Sequence, residues 1–519
     1  MPFMSLTRRS FLQISGAAAF SSALTSSLQN SNEADTASLC RKLATDPFRP
    51  QYHLLPAHNW MNDPNGPIYF NGRYHMFHQY NPLGAVWGNM NWAHATSTDM
   101  FHWQHEPIAL SPTPGGPDQD GVFSGSAVLD NGTPTLLYTG VAPPSGNDAT
   151  LRDGSHTWRE TQCLAVAQDK DLRTWKKLNE PVIPSPPPGL AVTGFRDPAL
   201  WREGDKWMLI LGSGIHGKGG TILLYSSPDL RHWTYLHPLV EGTFSHKDTS
   251  NPVDTGDMWE CPDFFPLAGK HVLLISTMGK VRWKVGTYAN QRFSPEKEGV
   301  VDWGNYYAAK TMLDRNGRRV LWGWITEARP DSDLITAGWA GAMSLPRALS
   351  LSSNLELQTS VIPEVSMLRA PRISSASRNR KDAAVEDIRI LDLAAELDIR
   401  LQPGTGAKFA LHFQSDAGDF ASISVENSSS GRTLHMNKLS CPISGAIGSP
   451  LRLQIFLDGS IMEIFVNESA AVTSRVYQIP SGPLSLKLEG DAKVISCEAR
   501  QMTPISKNRF TDPLCSAKS

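Results

Sequence analysis

From about residue 48 to residue 350, apolar and polar positions alternate in short runs broken by Gly, Pro, Asn and Asp. A period of two marks half-buried strands. Gly66 to Phe77 reads as strand, Asn71-Gly72 turn, strand. Further strands are expected at Pro134 to Thr139, Trp207 to Leu211, Thr221 to Tyr225, Val272 to Ser276 and Val320 to Trp324. Little of this half carries the 3.6-residue period of a helix.

A repeat sharpens the picture. Asp99-Met100-Phe101-His102-Trp103, Asp171-Leu172-Arg173-Thr174-Trp175 and Asp229-Leu230-Arg231-His232-Trp233 share the pattern D-[LM]-x-x-W, each between two strand-like segments. A four-stranded blade with its turns fills such a spacing, so residues 48–350 are expected to form a β-propeller, with about five blades at roughly 60 residues each. Residues 351–385 turn to Ser, Arg, Asn and Lys and read as a connector. Residues 386–505 return to alternation at Leu393 to Leu401, Lys408 to Phe413, Ala421 to Val425, Leu451 to Leu457, Ile461 to Val466 and Leu484 to Leu488. Asp458-Gly459 turns one hairpin there, and six or more strands without a helix predict a β-sandwich. The fold class is therefore all-β, a five-bladed propeller followed by a C-terminal sandwich.

Composition changes this little. A hydrophobic share of 40% and a charged share of 19% over 519 residues describe a globular chain of two domains. A net charge of −2 provides no basic field for nucleic acid or anionic lipid. Fifteen Trp residues offer flat apolar faces, which carbohydrate sites and β cores both use. The six Cys lack zinc-ligand spacing, so neither metal nor cofactor is expected; Cys441 with Cys497 is the first disulfide to check.

The N-terminus carries an address. Thr7-Arg8-Arg9-Ser10-Phe11-Leu12 precedes a short apolar run from Ile14 to Leu24, which reads as a twin-arginine export signal over residues 1–30. No later stretch approaches the roughly 20 apolar residues of a membrane-spanning helix. The expected protein is exported, periplasmic or extracellular, without a membrane partner once the signal is removed.

Three acidic motifs fall in the propeller half, each where a strand meets a turn. In Trp60-Met61-Asn62-Asp63-Pro64-Asn65-Gly66, the proline favours extended geometry at Asp63 and Asn65-Gly66 is expected to turn the chain. Phe195-Arg196-Asp197-Pro198 repeats the Asp-Pro device beside a guanidinium. Trp259-Glu260-Cys261-Pro262-Asp263 sets a Glu between Trp and Cys, an apolar setting that favours the neutral form of a carboxyl. Singly, each motif is a turn or a local ion pair. Together they lie on separate blades that converge on one funnel, and one ionised plus one protonated carboxyl across a sugar ring is the equipment of glycoside hydrolysis.

These motifs resemble glycoside hydrolase family 32, the invertase, inulinase and levanase family. The likeness rests on WMNDPNG at 60–66, FSGS at 123–126, RDP at 196–198 and WECPDFF at 259–265. Trp87 to His94, Tyr306 to Lys310, Trp322 to Trp324 and Leu457 to Phe465 extend it over about residues 48–500. Ala93 stands where the family often has Gly.

The resemblance implies the same five-bladed propeller and sandwich. It implies Asp63 as nucleophile, Glu260 as acid/base and Asp197 as transition-state stabiliser. Sugar contacts are implied at Asn62, Gln79, Trp87, Phe123, Ser124 and Arg196, with Trp322 and Trp324 as weaker candidates. The implied reaction is the retaining release of terminal β-D-fructofuranosyl units from sucrose or fructans such as levan and inulin. Retention places the two carboxyls about 5 to 5.5 Å apart. Fructosyl transfer, in which a sugar hydroxyl replaces water, uses the same motifs, and a non-catalytic fructan-binding module is the rival from another class. Gly140 to Glu160 reads as an insertion-like loop on the leaving-group side, its conformation unreadable.

Overall fold

The computed structural model describes residues 36–146, 148–152, 157–247, 249–376, 388–406, 408–429 and 431–511. The expected export signal lies outside them. No helix among the described residues is long and apolar enough to cross a membrane.

Five antiparallel sheets occupy the first part of the chain. The first holds β1 (Asn59–Phe70), β2 (Arg73–Asn81), β3 (Asn91–Ser97) and β4 (Trp103–Leu110) in that order. The second is built on β5 (Gly121–Asp130), β6 (Thr133–Ala142) and β8 (Thr157–Ala167), with the short strands β7 (Leu151–Arg152) and β9 (Trp175–Lys177) paired to β8. β10 (Val192–Glu203) to β13 (Thr234–Glu241) form the third and β14 (Glu260–Leu267) to β17 (Arg292–Val300) the fourth. The fifth pairs β18 (Tyr307–Leu313), β19 (Arg319–Ile325), β22 (Arg347–Leu351) and β23 (Leu357–Val361); of the two short strands between β19 and β22, β20 (Trp339–Ala340) pairs with β1 and β21 (Ala342–Met343) with β19.

Contacts between sheets show how they are arranged. β1 meets β5, β5 meets β10, β10 meets β14, β14 meets β18, and β18 returns to β1. The first strand of every sheet therefore stands in a closed ring, the arrangement of a five-bladed propeller.

The D-[LM]-x-x-W repeat is the hairpin between the third and outermost strands of blades one to three. Met100, Leu172 and Leu230 all take positive φ, at 70°, 58° and 64°. Asp99 Oδ1 accepts from the amides of Phe101 and His102, and Asp229 Oδ1 from those of Arg231 and His232. In the second and third copies the Trp Nε1 donates to the carbonyl of the Leu, both at 2.9 Å. In the second copy Asp169, two residues ahead of the motif, caps the turn instead, accepting from the amides of Asp171, Arg173 and Thr174; all three turns share a buried apolar residue held in the left-handed region.

Two six-stranded sheets make up the sandwich. One runs β24 (Arg369–Ala376), β35 (Ala492–Met502), β26 (Ala394–Pro403), β31 (Leu451–Asp458), β32 (Ile461–Val466), β33 (Ala470–Arg475). The other runs β25 (Arg389–Ile390), β34 (Leu484–Gly490), β27 (Lys408–Ser415), β28 (Gly418–Ser428), β29 (Gly431–Met436), β30 (Leu439–Ile443). Their inward positions, among them Leu397, Ile399, Leu411, Phe413, Ile455 and Ile464, form one buried core.

Several expectations need correction. Within the stretch expected as a connector over 351–385, residues 351–376 carry structure and the rest lies outside the described residues: β23 is the outer strand of blade five, with Leu357, Thr359 and Val361 buried, and β24 pairs with β35. The Ser and Asn around these short strands disguise their alternation. Asn65-Gly66 does not reverse the chain; both residues stay inside β1 across a register shift. Gly66 adopts φ 44° there, and a Cβ would meet the Ala127 amide nitrogen of blade two at 2.7 Å. Cys441 and Cys497 are free buried thiols. They lie on different sheets, β30 being an edge strand packed toward β33 and β35 lying near the opposite edge. Cys40, on the helix over 36–45, is disulfide-bonded.

Candidate active site

Each innermost strand breaks register at the residues it sends to the mouth of the ring. The shifts fall between Met61 and Pro64, Phe123 and Gly125, Arg196 and Ala199, Glu260 and Asp263, and Tyr307 and Lys310. In a regular strand successive side chains point to opposite faces. A bulge re-aims them. This explains why the consecutive pairs Asn62-Asp63, Phe123-Ser124 and Arg196-Asp197 all line one pocket. Three of the bulges contain a proline (Pro64, Pro198 and Pro262), which lacks the N–H that a ladder would need.

The pocket has a volume of about 240 Å³ and is lined by Asn62, Asp63, Gln79, Trp87, Phe123, Ser124, Arg196, Asp197 and Glu260. The three acids and the six implied sugar contacts are thus placed together. Met90, Leu151, Trp158, Asn251, Tyr307 and Trp324 complete the lining. Trp322 is buried in the core instead, while Trp324 packs edge-on against Trp60 at 5.7 Å.

Asp63 is held through both carboxylate oxygens. Ser124 Oγ donates to its Oδ2 at 2.6 Å and Asn62 Nδ2 to its Oδ1 at 3.0 Å. Trp60 Nε1 fixes the other end of the Asn62 amide at 2.7 Å. Burial pushes the Asp63 carboxyl up to about 6, helped by the negative charge of Asp197 and opposed by the Ser124 and Asn62 hydrogen bonds.

Asp197 has φ 64°, which corrects the extended geometry expected from its following proline. The bulge requires the left-handed conformation, and hydrogen bonds hold it. Thr139 Oγ1 receives the Asp197 amide at 2.9 Å, and the Cys261 amide donates to Asp197 Oδ2 at 2.8 Å. Burial raises the Asp197 carboxyl, while Arg196 pulls it back. The Cys261 thiol lies 3.4 Å from both Asp63 Oδ2 and Asp197 Oδ2, linking the two acids.

Glu260 departs from the apolar setting its neighbours suggest. Trp259 is buried against Gly220 and Gly242, and Cys261 faces the aspartates. The Glu260 carboxyl itself meets Arg196, whose Nη2 and Nε donate to Oε1 at 2.7 and 3.2 Å. The Tyr307 hydroxyl donates to Oε2 at 2.8 Å. Neighbours in sequence do not report what a strand-end side chain faces once the strand bulges.

One wall is aromatic. Trp87, 43% exposed, lies 5.9 Å from both Phe123 and Trp158, and the latter two are 5.5 Å apart. Trp158 escaped the sequence reading because it ends the insertion-like segment; the structure shows that segment returning as the β7–β8 pair. Tyr307 also escaped it, although it stands in the Tyr306 to Lys310 motif and at the fifth bulge.

The Glycosyl hydrolases family 32 N-terminal domain matches residues 53–360, and the Glycosyl hydrolases family 32 C terminal domain matches residues 370–501. The chain belongs to glycosyl hydrolase family 32. This family 32 glycoside hydrolase is 37% identical over 459 residues to the sucrose-6-phosphate hydrolase of Escherichia coli, a match covering 83% of this chain and 90% of that protein. It is 31% identical to the levanase of Bacillus subtilis over 517 residues, covering 90% of this chain and 72% of the levanase. Among solved structures, the Bombyx mori GH32 β-fructofuranosidase superposes with a TM-score of 0.72 at 26% identity, covering 93% of this chain and 99% of the other. Fructan 1-exohydrolase IIa from Cichorium intybus gives 0.71 at 25%, covering 88% and 98%.

Proposed function

We propose that this hydrolase releases terminal β-D-fructofuranosyl units from sucrose and from fructans such as levan and inulin, with retention at the anomeric carbon. The observation that carries the reading is the meeting of Asp63, Asp197 and Glu260, from three different blades, in one pocket of about 240 Å³. A pocket this small suits one terminal sugar, hence exo action.

Glu260, held by Arg196 and Tyr307, gives its proton to the leaving oxygen while Asp63 attacks the anomeric carbon. Ser124 and Asn62 orient the Asp63 carboxylate for that attack. Asp197 stays charged as the ring gains oxocarbenium character and accepts hydrogen bonds from the fructosyl hydroxyls. Water, deprotonated by the now ionised Glu260, then cleaves the fructosyl ester on Asp63. The aromatic wall of Trp87, Phe123 and Trp158 offers an apolar face to the sugar or its leaving group. The same proposal places the enzyme outside the cytoplasm, on the strength of the Arg8-Arg9 motif.

The test is free fructose released from sucrose, levan and inulin side by side, with Asp63→Ala as the blank. Release by the wild type and not by the variant supports the reading, and the order of rates names the substrate. No release from any of the three by a folded wild type sinks it, as does equal release by both.

A further inference from the structure

Behind the pocket lies a fourth carboxylate, one that the reaction scheme does not use. Glu160 is fully buried on β8, two residues beyond Trp158 and so on the same face of the strand. Its Oε1 accepts from Arg196 Nη1 at 3.1 Å, while its Oε2 accepts from the Phe195 amide at 2.6 Å and from Thr150 Oγ1 at 3.2 Å. Thr150 Oγ1 in turn accepts from the Glu160 amide at 2.9 Å. The opposite edge of the same guanidinium, Nη2 and Nε, reaches Glu260. One buried cation is therefore shared between a carboxylate sealed in the fold and one open to the substrate.

We propose that Glu160 is a positioning residue for the acid/base: it anchors Nη1 so that Nη2 and Nε meet Glu260, and it divides the charge of Arg196 between two carboxylates. This deepens the reading given above and rests on Glu260 being the acid/base. Two features favour a tuned pair over mere packing. A buried carboxylate needs compensating donors, and three donors reach Glu160 across both oxygens; burial pushes the Glu160 carboxyl up, and Arg196 with the Phe195 amide pulls it back. In addition, the fork is asymmetric. Both pocket-side nitrogens converge on Glu260 Oε1, leaving Oε2 to Tyr307, so a turn of the guanidinium plane would release the acid/base from one side.

The charged and titratable groups around the system are few. Glu160 faces Arg196 and the charge of Asp197, both on β10. Glu260 faces Arg196 and Asp197 from β10, Tyr307 from β18, Asp63 from β1 and its neighbour Cys261. Removing the charge of Glu160 leaves the whole guanidinium charge acting on Glu260, which then holds its proton less firmly. The alkaline limb of kcat/KM, where the acid must still be protonated, moves to lower pH.

The experiment is the pH profile of kcat/KM on sucrose for wild type, Glu160→Gln and Glu160→Asp, with melting curves to certify folding. Glu160→Gln is expected to shift the alkaline limb down by about one pH unit and to lose activity, because one amide oxygen cannot serve three donors. Glu160→Asp keeps the charge but is one methylene short of Nη1; its limb should stay in place while kcat falls about ten-fold, with KM less affected. A folded Glu160→Gln whose alkaline limb coincides with that of the wild type overturns the proposal. Should Glu160→Gln fail to fold, a wild-type kcat in Glu160→Asp overturns it. Glu260→Ala, run alongside, separates the two ideas. Near-normal sucrose hydrolysis by that variant removes the acid/base reading itself, whatever Glu160 does.

Discussion

The Asp63 carboxyl is held by influences of opposite sign. Burial and the charge of Asp197 press it toward the neutral form, and the Ser124 hydroxyl and Asn62 amide press it toward the ion; the balance lies at about 6. The proposed role as nucleophile requires the ion, so the acidic limb of kcat/KM should fall near pH 6, well above an ordinary aspartate. Ser124→Ala removes a hydrogen bond to the ion, a loss of about 1.5–3 kcal/mol. The expected result is an acidic limb displaced to higher pH and a kcat/KM lowered about ten- to a hundred-fold, read from the same profile. An unmoved limb contradicts the assignment of that limb to Asp63. The acids themselves were legible in the sequence because Asp-Pro and Glu-Cys-Pro sit in unusual motifs. Their electrostatic partners were not. Nothing in the string couples Glu160 to Arg196, or Tyr307 to Glu260, since those contacts form only when blades close side by side.

At the level of elements, the recurring device is the bulged inner strand. It converts alternation into pairs of adjacent side chains facing one funnel, and positive φ at Asp197, Cys261 and Ala308 marks where the extra residue sits. The strands were readable from their period of two, but the bulges were not, because a bulge appears only against its partner strand. The β7–β8 pair is the other element that matters. It carries Trp158 against Trp87 and Phe123, and it was unreadable inside a segment rich in Gly, Ser and Pro. If this wall binds ground state and transition state alike, Trp158→Ala raises KM for sucrose about ten-fold and leaves kcat nearly unchanged. A loss confined to kcat would place Trp158 in the transition state's own contacts instead.

Across the whole molecule, propeller and sandwich are locked by buried charges. Arg347, on β22, donates from Nη1 to Asp302 at 2.9 Å and pairs with Glu463 of the sandwich. His53 lies between Asp458 at 2.7 Å and Glu463 at 2.9 Å. Burial pushes Glu463 up, but Arg347 and His53 overcome it and hold the carboxyl at about 2. Burial likewise lowers His53, but Asp458 and Glu463 overcome it and raise the imidazole above 6.5. A depressed acid stabilises the fold above its unfolded value near 4.5 and loses that contribution as pH falls toward about 2. A raised imidazole stabilises below 6.5 and loses its contribution as pH climbs through its folded value. Both act fully between about pH 4.5 and 6.5, where thermal stability should peak. Glu463→Gln leaves Arg347 short of a partner and should cost about 3–5 kcal/mol in denaturant unfolding at pH 5.5. An unchanged midpoint would show that this network does not hold the domains together. The two-domain plan could be read from the repeat and the hairpins; the lock could not, because its members come from four separate stretches of chain.

Fructosyl transfer to Asp63 with proton transfer by Glu260 passes through a covalent intermediate that can be trapped. It is tested most directly by incubating Glu260→Gln with β-fructofuranosyl fluoride, whose leaving group needs no proton, and mapping the protein by peptide mass spectrometry. One added hexosyl unit is expected on the peptide containing Asp63, accumulating because no base activates water to remove it. An adduct on another residue, or rapid turnover without any adduct, would contradict it.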